Sequence, residues 1–497
     1  IDTGLTQQLQ AFVAAGAANG FDGQTFFSED VVRSAPMDPA STVPDATNGT
    51  PFAVEWQAGQ AEHLAAADAA ARRVTQRLQD HPLFEHSVNR RESYVGSNEW
   101  GVTGSLTPGG RPIIANDPHL SLNVPSTFWE QHVIVKNDPV DGPMNVSGVA
   151  FPGAPGVILG QNERVTWGAT TNPMDVSDVF LDELHVLQPD CLALGAIACI
   201  RSAGTFHPVE IELPTYFINQ IGDGVNDNLI DVTATLPPDA QIVATVPFRS
   251  FGPVIDITDP SVVNTGGITT ALVLQYTGFH ATQELQTFSK WSRAQNLQDF
   301  RDGLDFFDVG SQNWAYADVD GNLAYFSSAE LPLRSDLEQG TVAGLPPYFV
   351  RDGISGANNW IPDPAQSQGQ TIPFAILPYE EMPQTVNPEN EYFVNANNDP
   401  AGTTLDNDPL NQVRVSNPNA IYYLNPGYAI GLRAGRITQL IEEEIARGGK
   451  ITARDMRRLQ SNTQQLDAEL LVPHVLEAFA SAEDPAAPAE LAAFGAD

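Results

Sequence analysis

At 497 residues, 42% of them hydrophobic and 17% charged, the chain is long and apolar enough to bury a substantial core, which excludes an intrinsically disordered protein. The formal charge is −37, from 24 Lys and Arg against 61 Asp and Glu, which argues strongly against nucleic acid or an anionic membrane surface as partner, because either would repel the chain. No apolar run reaches the roughly 18 residues that span a bilayer, and Ile1 opens neither a basic nor an apolar leader, so a water-soluble protein with any signal peptide removed or not included is expected.

Residues 1–96 read as helix and loop. The stretch 36–51 is a Pro, Asp and Thr rich loop without periodicity. Residues 59–79 are rich in helix formers, with Leu64, Ala67, Ala71, Val74 and Leu78 at helical spacing. The composition changes at Tyr94. From Ser97 onward short apolar runs alternate with Gly, Pro, Asn and Asp, which predicts many strands, among them 111–115, 130–135, 156–159 and 269–276. The segment 313–327 predicts a hairpin turning at Asp320-Gly321. Helices return at 430–446 and after Thr452, where Thr452 and Asp455 form a capping box ahead of a long run to Ala480. Strands in the middle and helices at both ends predict an α+β protein of antiparallel sheet covered by helices.

Two cysteines are present, Cys191 and Cys199. Their spacing suits a local disulfide, which would place the protein outside the cytoplasm; two reduced, buried thiols are the alternative. The loop 222–231 carries Asp223, Asn226, Asp227 and Asp231, which could offer oxygens to calcium or simply form a solvated turn. No GxSxG elbow, HExxH helix or Walker loop is present.

The stretch YVGSNEWGVTG (94–104), followed by ANDPHL (115–120), resembles the processing site and next block of the penicillin acylase family of N-terminal-nucleophile hydrolases. Further blocks resemble it in order: 151–172, 175–184, 249–255 (with Phe251 in place of a His), 310–325, 330–334 and 431–437. The resemblance implies a four-layer αββα fold with two antiparallel sheets between helical layers. It implies autocatalytic cleavage at Gly96–Ser97 and hydrolysis of an N-acyl amide by the new N-terminal serine. The substrate would be a β-lactam side chain, an N-acyl-homoserine lactone or a lipopeptide. It also implies His119, twenty-third from Ser97, near the nucleophile; a backbone oxyanion donor near Thr171; a side-chain oxyanion donor in Asn313; and an active-site arginine in Arg334.

By position, Leu120 and Leu159 replace aromatic residues of acylases that prefer phenylacetyl groups, so an aliphatic acyl pocket is expected. A structural calcium ion is expected on Asp175, Ser177 and Asp178, with no organic cofactor. The family pattern divides the chain into the end of an α-chain (1–58), a spacer (59–96) and a β-chain core (97–497), truncated at both ends. One precursor would yield an α/β heterodimer, periplasmic or secreted. A non-catalytic secreted calcium-binding protein of the same fold is the alternative.

The chemistry is coherent without the name. A serine hydroxyl needs a base, and cleavage before Ser97 would supply one in its own α-amine, whose ordinary pKa is about 7.7–8.0. The oxyanion formed by attack on an amide needs preplaced donors.

Overall fold

The computed structural model describes residues 2–26, 61–80, 96–120, 124–219, 224, 229–236, 241–367, 369–404 and 408–482. Of the acidic loop, Asp223, Asn226 and Asp227 lie outside the described residues, as does the 36–51 loop.

Helices α1 (Asp2–Asn19) and α2 (Ala61–Asp80) precede the sheets. β1 (Gly96–Val102) pairs antiparallel with β2 (Ile113–His119). A meander follows through β3 (Trp129–Val135), β4 (Met144–Ala150), β5 (Leu159–Gln161) and β6 (Val165–Thr171). The stretch 156–159 was expected as a strand; instead Val157 and Ile158 are buried outside any strand and pairing begins at Leu159.

The chain then enters β7 (Ser177–Val186), β8 (Ala198–Ser202) and β9 (Thr205–Glu212). A small hairpin, β10 (Phe217–Asn219) and β11 (Leu229–Asp231), is followed by β12 (Val243–Val246), β13 (Gly252–Ile257) and β14 (Gly267–Tyr276). Because β14 pairs back onto β7, six of these strands close into a ring around Leu184, Ile200, Val246 and Val273. Helix α2 lays Ala67, Ala70 and Val74 against Val179, Leu181 and Leu272 of its wall.

After α3 (Glu284–Trp291) and α4 (Leu297–Leu304) comes the hairpin of β15 (Gln312–Asp318) and β16 (Leu323–Ser328). The expected Asp320-Gly321 turn joins them, with Gly321 at φ 105°. β17 (Arg351–Asp352), β18 (Gln384–Val386) and β19 (Tyr392–Asn395) complete the strands. α5 (Leu432–Ala446), α6 (Ala453–Gln460) and α7 (Leu466–Ala482) follow. The Thr452–Asp455 capping box forms as expected. The helical run to Ala480 does not stay continuous: it breaks between Gln460 and Leu466, where Asn462 accepts from the backbone of Gln464. Asn and Ser compete for backbone hydrogen bonds in this way and end helices.

Four layers result. The sheet β19-β1-β2 faces the seven-stranded sheet β18-β16-β15-β6-β5-β4-β3, with Ile114, Ala315, Leu323, Tyr325 and Phe393 between them. Trp100, Val102 and Val394 on the outer face of the first sheet pack on Ile437 and Ile441 of α5 and Met456 and Leu459 of α6. Trp167, Trp314, Tyr316 and Phe326 on the outer face of the second pack on Phe288 and Trp291 of α3 and Phe300 of α4. The αββα expectation is met, and the ring of strands is built onto it.

Candidate active site

Strand alternation decides which way each residue of β1 looks. Trp100 and Val102 face the helices, so Ser97, Glu99 and Gly101 face the opposing sheet. Ser97 is buried, 4% exposed, at the start of this central strand. Its hydroxyl donates to the carbonyl of Gly96 at 2.7 Å, and its backbone N–H donates to Asn397 Oδ1 at 2.7 Å. Gly96 has a reason to be glycine: a Cβ there would lie 2.9 Å from Arg433 Nη2 and 3.1 Å from Asn397 Oδ1.

Arg433, in the first turn of α5, reaches the same point. Its Nη1 donates to the Ser97 carbonyl and to Asn98 Oδ1, both at 2.6 Å, and its Nη2 donates to Asn397 Oδ1 at 2.9 Å. Asn397 follows β19 and holds a left-handed backbone, φ 63°, which Asn tolerates better than most residues. Its Nδ2 donates to the carbonyl of Thr171 at 2.8 Å. Asn397 therefore links Ser97 on one sheet to the end of β6 on the other.

Thr171 is the last residue of β6. The N–H and C=O of Ala169 are both bonded by the Asn116 side chain, away from β15. Backbone groups two residues apart in a strand point the same way, so the Thr171 N–H also points off this edge, toward Asn397. Leu120, Leu159, Thr171 and Ser97 line one cavity of about 360 Å³, walled further by Phe128, Phe151, Phe288, Phe307 and Trp314. Leu120 and Leu159, read from the sequence as acyl-pocket residues, thus share a cavity with Ser97.

Three expected groups, Asn313, Arg334 and the calcium turn, have surroundings that differ from those the resemblance implies, and the side chain of His119 faces away from that of Ser97. Asn313 is buried behind the site, its amide taken up by Thr170 Oγ1 (2.9 Å), Asn395 Oδ1 (3.1 Å) and the Thr171 carbonyl (3.3 Å). Its Oδ1 accepts from the Tyr325 and Ser327 hydroxyls. It buttresses the end of β6 and has no hydrogen left to aim at a substrate. His119 pairs in register with Gly96 but lies on the helix-facing side of its sheet, opposite to the Ser97 side chain. Its Nε2 is 3.0 Å from Asp117 Oδ2 and 3.4 Å from Asn98 Nδ2, and it lines a separate polar cavity of about 550 Å³ with Arg433 and Gln460.

Arg334 gives its donors to groups other than Ser97. It is buried against Asp178 (Nε to Oδ2, 2.8 Å) and Asp175 (Nη2 to Oδ2, 3.3 Å), the two carboxylates expected to hold calcium. Tyr423 donates to Asp175 Oδ2 at 2.6 Å, and Trp360 Nε1 donates to Asp178 Oδ2. Among the described residues no group of three or more His, Cys, Asp or Glu is placed to hold a metal ion. Calcium takes six to eight oxygens, and a guanidinium between the two carboxylates would repel it, so Asp175, Ser177 and Asp178 do not fit the ion. Asp231, at the end of the acidic loop, is engaged in a local turn with the Thr233 N–H.

Glu99, one pleat below Ser97, is fully buried with neither carboxylate oxygen bonded. Burial pushes its carboxyl well above the usual carboxylate range.

Asn397 and Arg433 were missed as site residues. Both lie in recognisable stretches, the Asn-Asn-Asp-Pro turn at 397–400 and the helix start at 431–437, but only the fold brings them to Ser97.

A penicillin amidase family profile matches residues 33–496. The chain is 24% identical over 305 residues to penicillin acylase 2 proenzyme of Pseudomonas sp. (strain SE83), covering 61% of this chain and 32% of that protein. It is 24% identical over 448 residues to acyl-homoserine lactone acylase PvdQ of Pseudomonas fluorescens (strain Pf0-1), covering 87% of this chain and 51% of that one. The chain thus spans about half or less of the length of these relatives. A thermostable penicillin G acylase from Alcaligenes faecalis aligns with a TM-score of 0.49 at 20% identity, covering 80% of this chain and 57% of that chain.

Proposed function

The chain belongs to the penicillin amidase family, and from that premise we propose that its protein cuts itself between Gly96 and Ser97 and then hydrolyses N-acyl amides with an aliphatic acyl group. The observation that carries this is the Ser97 hydroxyl, 2.7 Å from the carbonyl oxygen of the bond to be cut, at the edge of an apolar cavity of about 360 Å³.

In the first reaction Ser97 Oγ adds to the Gly96 carbonyl carbon, the C–N bond breaks, and the hydroxyl proton ends on the Ser97 nitrogen. Water then hydrolyses the ester, leaving the Gly96 carboxylate, the free hydroxyl and a free α-amine. The absence of a side chain at Gly96 keeps Arg433 and Asn397 close to the scissile carbonyl.

In the second reaction the amine accepts the Oγ proton as Oγ attacks the substrate carbonyl, directly or through one water. Asn397 Oδ1, which already accepts from the Ser97 nitrogen, would orient the amine. The oxyanion would meet Asn397 Nδ2 and the Thr171 N–H, which replaces Asn313 by Asn397 as the side-chain donor. The proton returns to the leaving amine, and water releases the acid from Ser97.

The cavity lies at the small end of the roughly 300–1,000 Å³ range of ligand pockets, which suits one acyl chain and not a whole substrate. Its leucines favour a flexible alkyl chain, as in N-acyl-homoserine lactones or lipopeptides, over a flat phenylacetyl ring. The Cys191–Cys199 disulfide supports an extracytoplasmic, periplasmic or secreted, location. Processing would give two chains that stay together as an α/β heterodimer.

The test is a series of acyl anilides of increasing chain length, with phenylacetyl anilide as the control, given to the full-length wild type and to Ser97→Ala. Turnover of medium-length alkyl amides that is absent from Ser97→Ala supports the reading. Turnover by Ser97→Ala, or a preference for phenylacetyl, overturns the mechanism or the substrate class respectively.

A further inference from the structure

The two carboxylates that follow β6 are both buried. Asp178 is 0% exposed and Asp175 9%, and the Arg334 side chain between them is 1% exposed. We infer that the Arg334 guanidinium is a built-in replacement for a metal cation, holding the segment from Asn172 to Asp178 in place without calcium.

One arginine does here what a hard cation does elsewhere. Two buried carboxylates need a positive charge beside them, because an uncompensated ion in the interior costs several kcal/mol. The guanidinium supplies that charge with donors in a fixed planar fork. Its Nε bonds Asp178 Oδ2 at 2.8 Å, and its Nη2 bonds the backbone carbonyl of Asp175 at 2.9 Å and faces the Asp175 carboxylate at 3.3 Å. Gathering side-chain carboxylates and a main-chain carbonyl around one charge is also how calcium organises a turn. With Tyr423 on Asp175 and Trp360 on Asp178, one carboxylate oxygen of the pair, Asp178 Oδ1, is a buried atom without a partner. One oxygen is far short of a calcium shell.

Arg334 is itself fixed. It forms an antiparallel bridge with Trp360, and its neighbour Leu333 donates to the Ala375 carbonyl at 2.8 Å. The segment it grips leads straight back to the end of β6. The Asp175 N–H donates to the Leu424 carbonyl at 2.8 Å, and the Asn172 N–H donates to the Ser311 carbonyl at 3.2 Å. Asn172 is the residue after Thr171, so the guanidinium stands at the far end of the same short segment as the expected oxyanion donor. Arg334 is in this sense a positioning residue; that half of the inference rests on the acylase reading, whereas the cation replacement does not.

The test uses the full-length protein and starts with metal analysis and thermal unfolding. Wild type should carry well under one calcium per chain after dialysis, with a Tm unmoved by EGTA or by added CaCl2. Arg334→Met should lower Tm, and CaCl2 should raise the Tm of this variant while leaving wild type unchanged. Arg334→Lys, which keeps the charge but loses the fork, should fold with intermediate stability and remain insensitive to calcium. It therefore serves if Arg334→Met does not fold. Stoichiometric calcium in wild type, a loss of Tm on chelation, a Met variant as stable as wild type, or one indifferent to CaCl2 overturns the replacement. On an alkyl anilide, Arg334→Lys should lower kcat severalfold with KM little changed. An unchanged kcat overturns the positioning half alone, and absence of turnover in wild type counts against the acylase reading and not against the cation replacement.

Discussion

Replacing Asn397 separates the structural and the proposed catalytic role of its side chain. Asn397→Ala removes three hydrogen bonds, from the Ser97 nitrogen, from Arg433 and to the Thr171 carbonyl. A neutral hydrogen bond contributes about 0.5–1.5 kcal/mol and one to a charged group about 1.5–3 kcal/mol. Water can reach this half-buried position, so a loss near 2 kcal/mol is expected for the set, at the low end of those figures. Alanine also pays for the left-handed backbone at φ 63°, roughly 1–2 kcal/mol, whereas glycine does not. Asn397→Gly should consequently unfold about 1 kcal/mol later than Asn397→Ala while lacking the same amide. Both variants, where processed, should lose about 10²–10³ in kcat, the effect of removing one oxyanion donor. Asn313→Ala should behave in the opposite way. It removes the buried hydrogen bonds to Tyr325, Thr170 and Asn395, each of which keeps one other partner, at about 0.5–1.5 kcal/mol for each bond, so stability falls more than the rate of the folded fraction. Urea unfolding, intact mass for processing and initial rates on an alkyl anilide measure the three quantities. An Asn397→Gly enzyme within twofold of wild-type kcat would refute the oxyanion assignment. A well-folded Asn313→Ala protein with a hundredfold loss in kcat would restore Asn313 to that role.

Ser97→Ala should remain one chain of precursor mass, while the wild type yields a chain whose N-terminal sequence begins Ser-Asn-Glu-Trp; an active wild type with the 96–97 bond intact would rule the mechanism out. Cys191 and Cys199 form a disulfide in the structure, so thiol counting on unfolded, unreduced protein should find none, and replacing both by Ser should cost about 2–3 kcal/mol on loop length alone. Asp308 is buried with Oδ1 unpartnered, and burial together with Glu330 pushes its pKa up to about 8. A raised carboxyl contributes stability that is fully present below the unfolded pKa of about 3.9 and is lost as pH rises through the folded value. Asp308→Asn should therefore be more stable than wild type at pH 9 and show a flatter Tm against pH between 4 and 8; parallel profiles for the two proteins would show that Asp308 does not titrate there.

What could be read from the sequence was what local physics encodes. The 59–79 periodicity, the Asp320-Gly321 turn and the Thr452–Asp455 cap each involve residues a few positions apart, and each appears in the structure. Ser97, Leu120, Leu159 and Thr171, all singled out in the sequence, line one cavity. The arginines could not be assigned in this way. An Arg reveals its charge but not which carboxylate it meets, and Arg334 meets Asp178 across 156 residues while Arg433 meets Ser97 across 336. Asn313 and Asn397 were similarly indistinguishable, because both sit in Asn-containing strand or turn segments. Only the saturation of one amide and the position of the other tell them apart.

The two-sheet arrangement explains why so few of these residues are neighbours in sequence. A lone strand can present a serine but cannot surround it, since the next residues on the same face are two positions away. Facing a second sheet brings the free edge of β6, with Thr171, over the start of β1. Pairing with β19 brings Asn397 to the flank, and packing α5 on the outer face lets Arg433 reach around to the Ser97 carbonyl. Register is then decisive. Trp100 and Val102 are held in the helix-facing core, and because side chains alternate, this fixes Ser97 toward β6 and Asn98 toward Arg433. A slip of one residue in β1 would exchange the two, aiming an amide at the cavity and the hydroxyl at the helix. The tryptophan three residues after the serine thus does as much to aim the proposed nucleophile as any group that touches it.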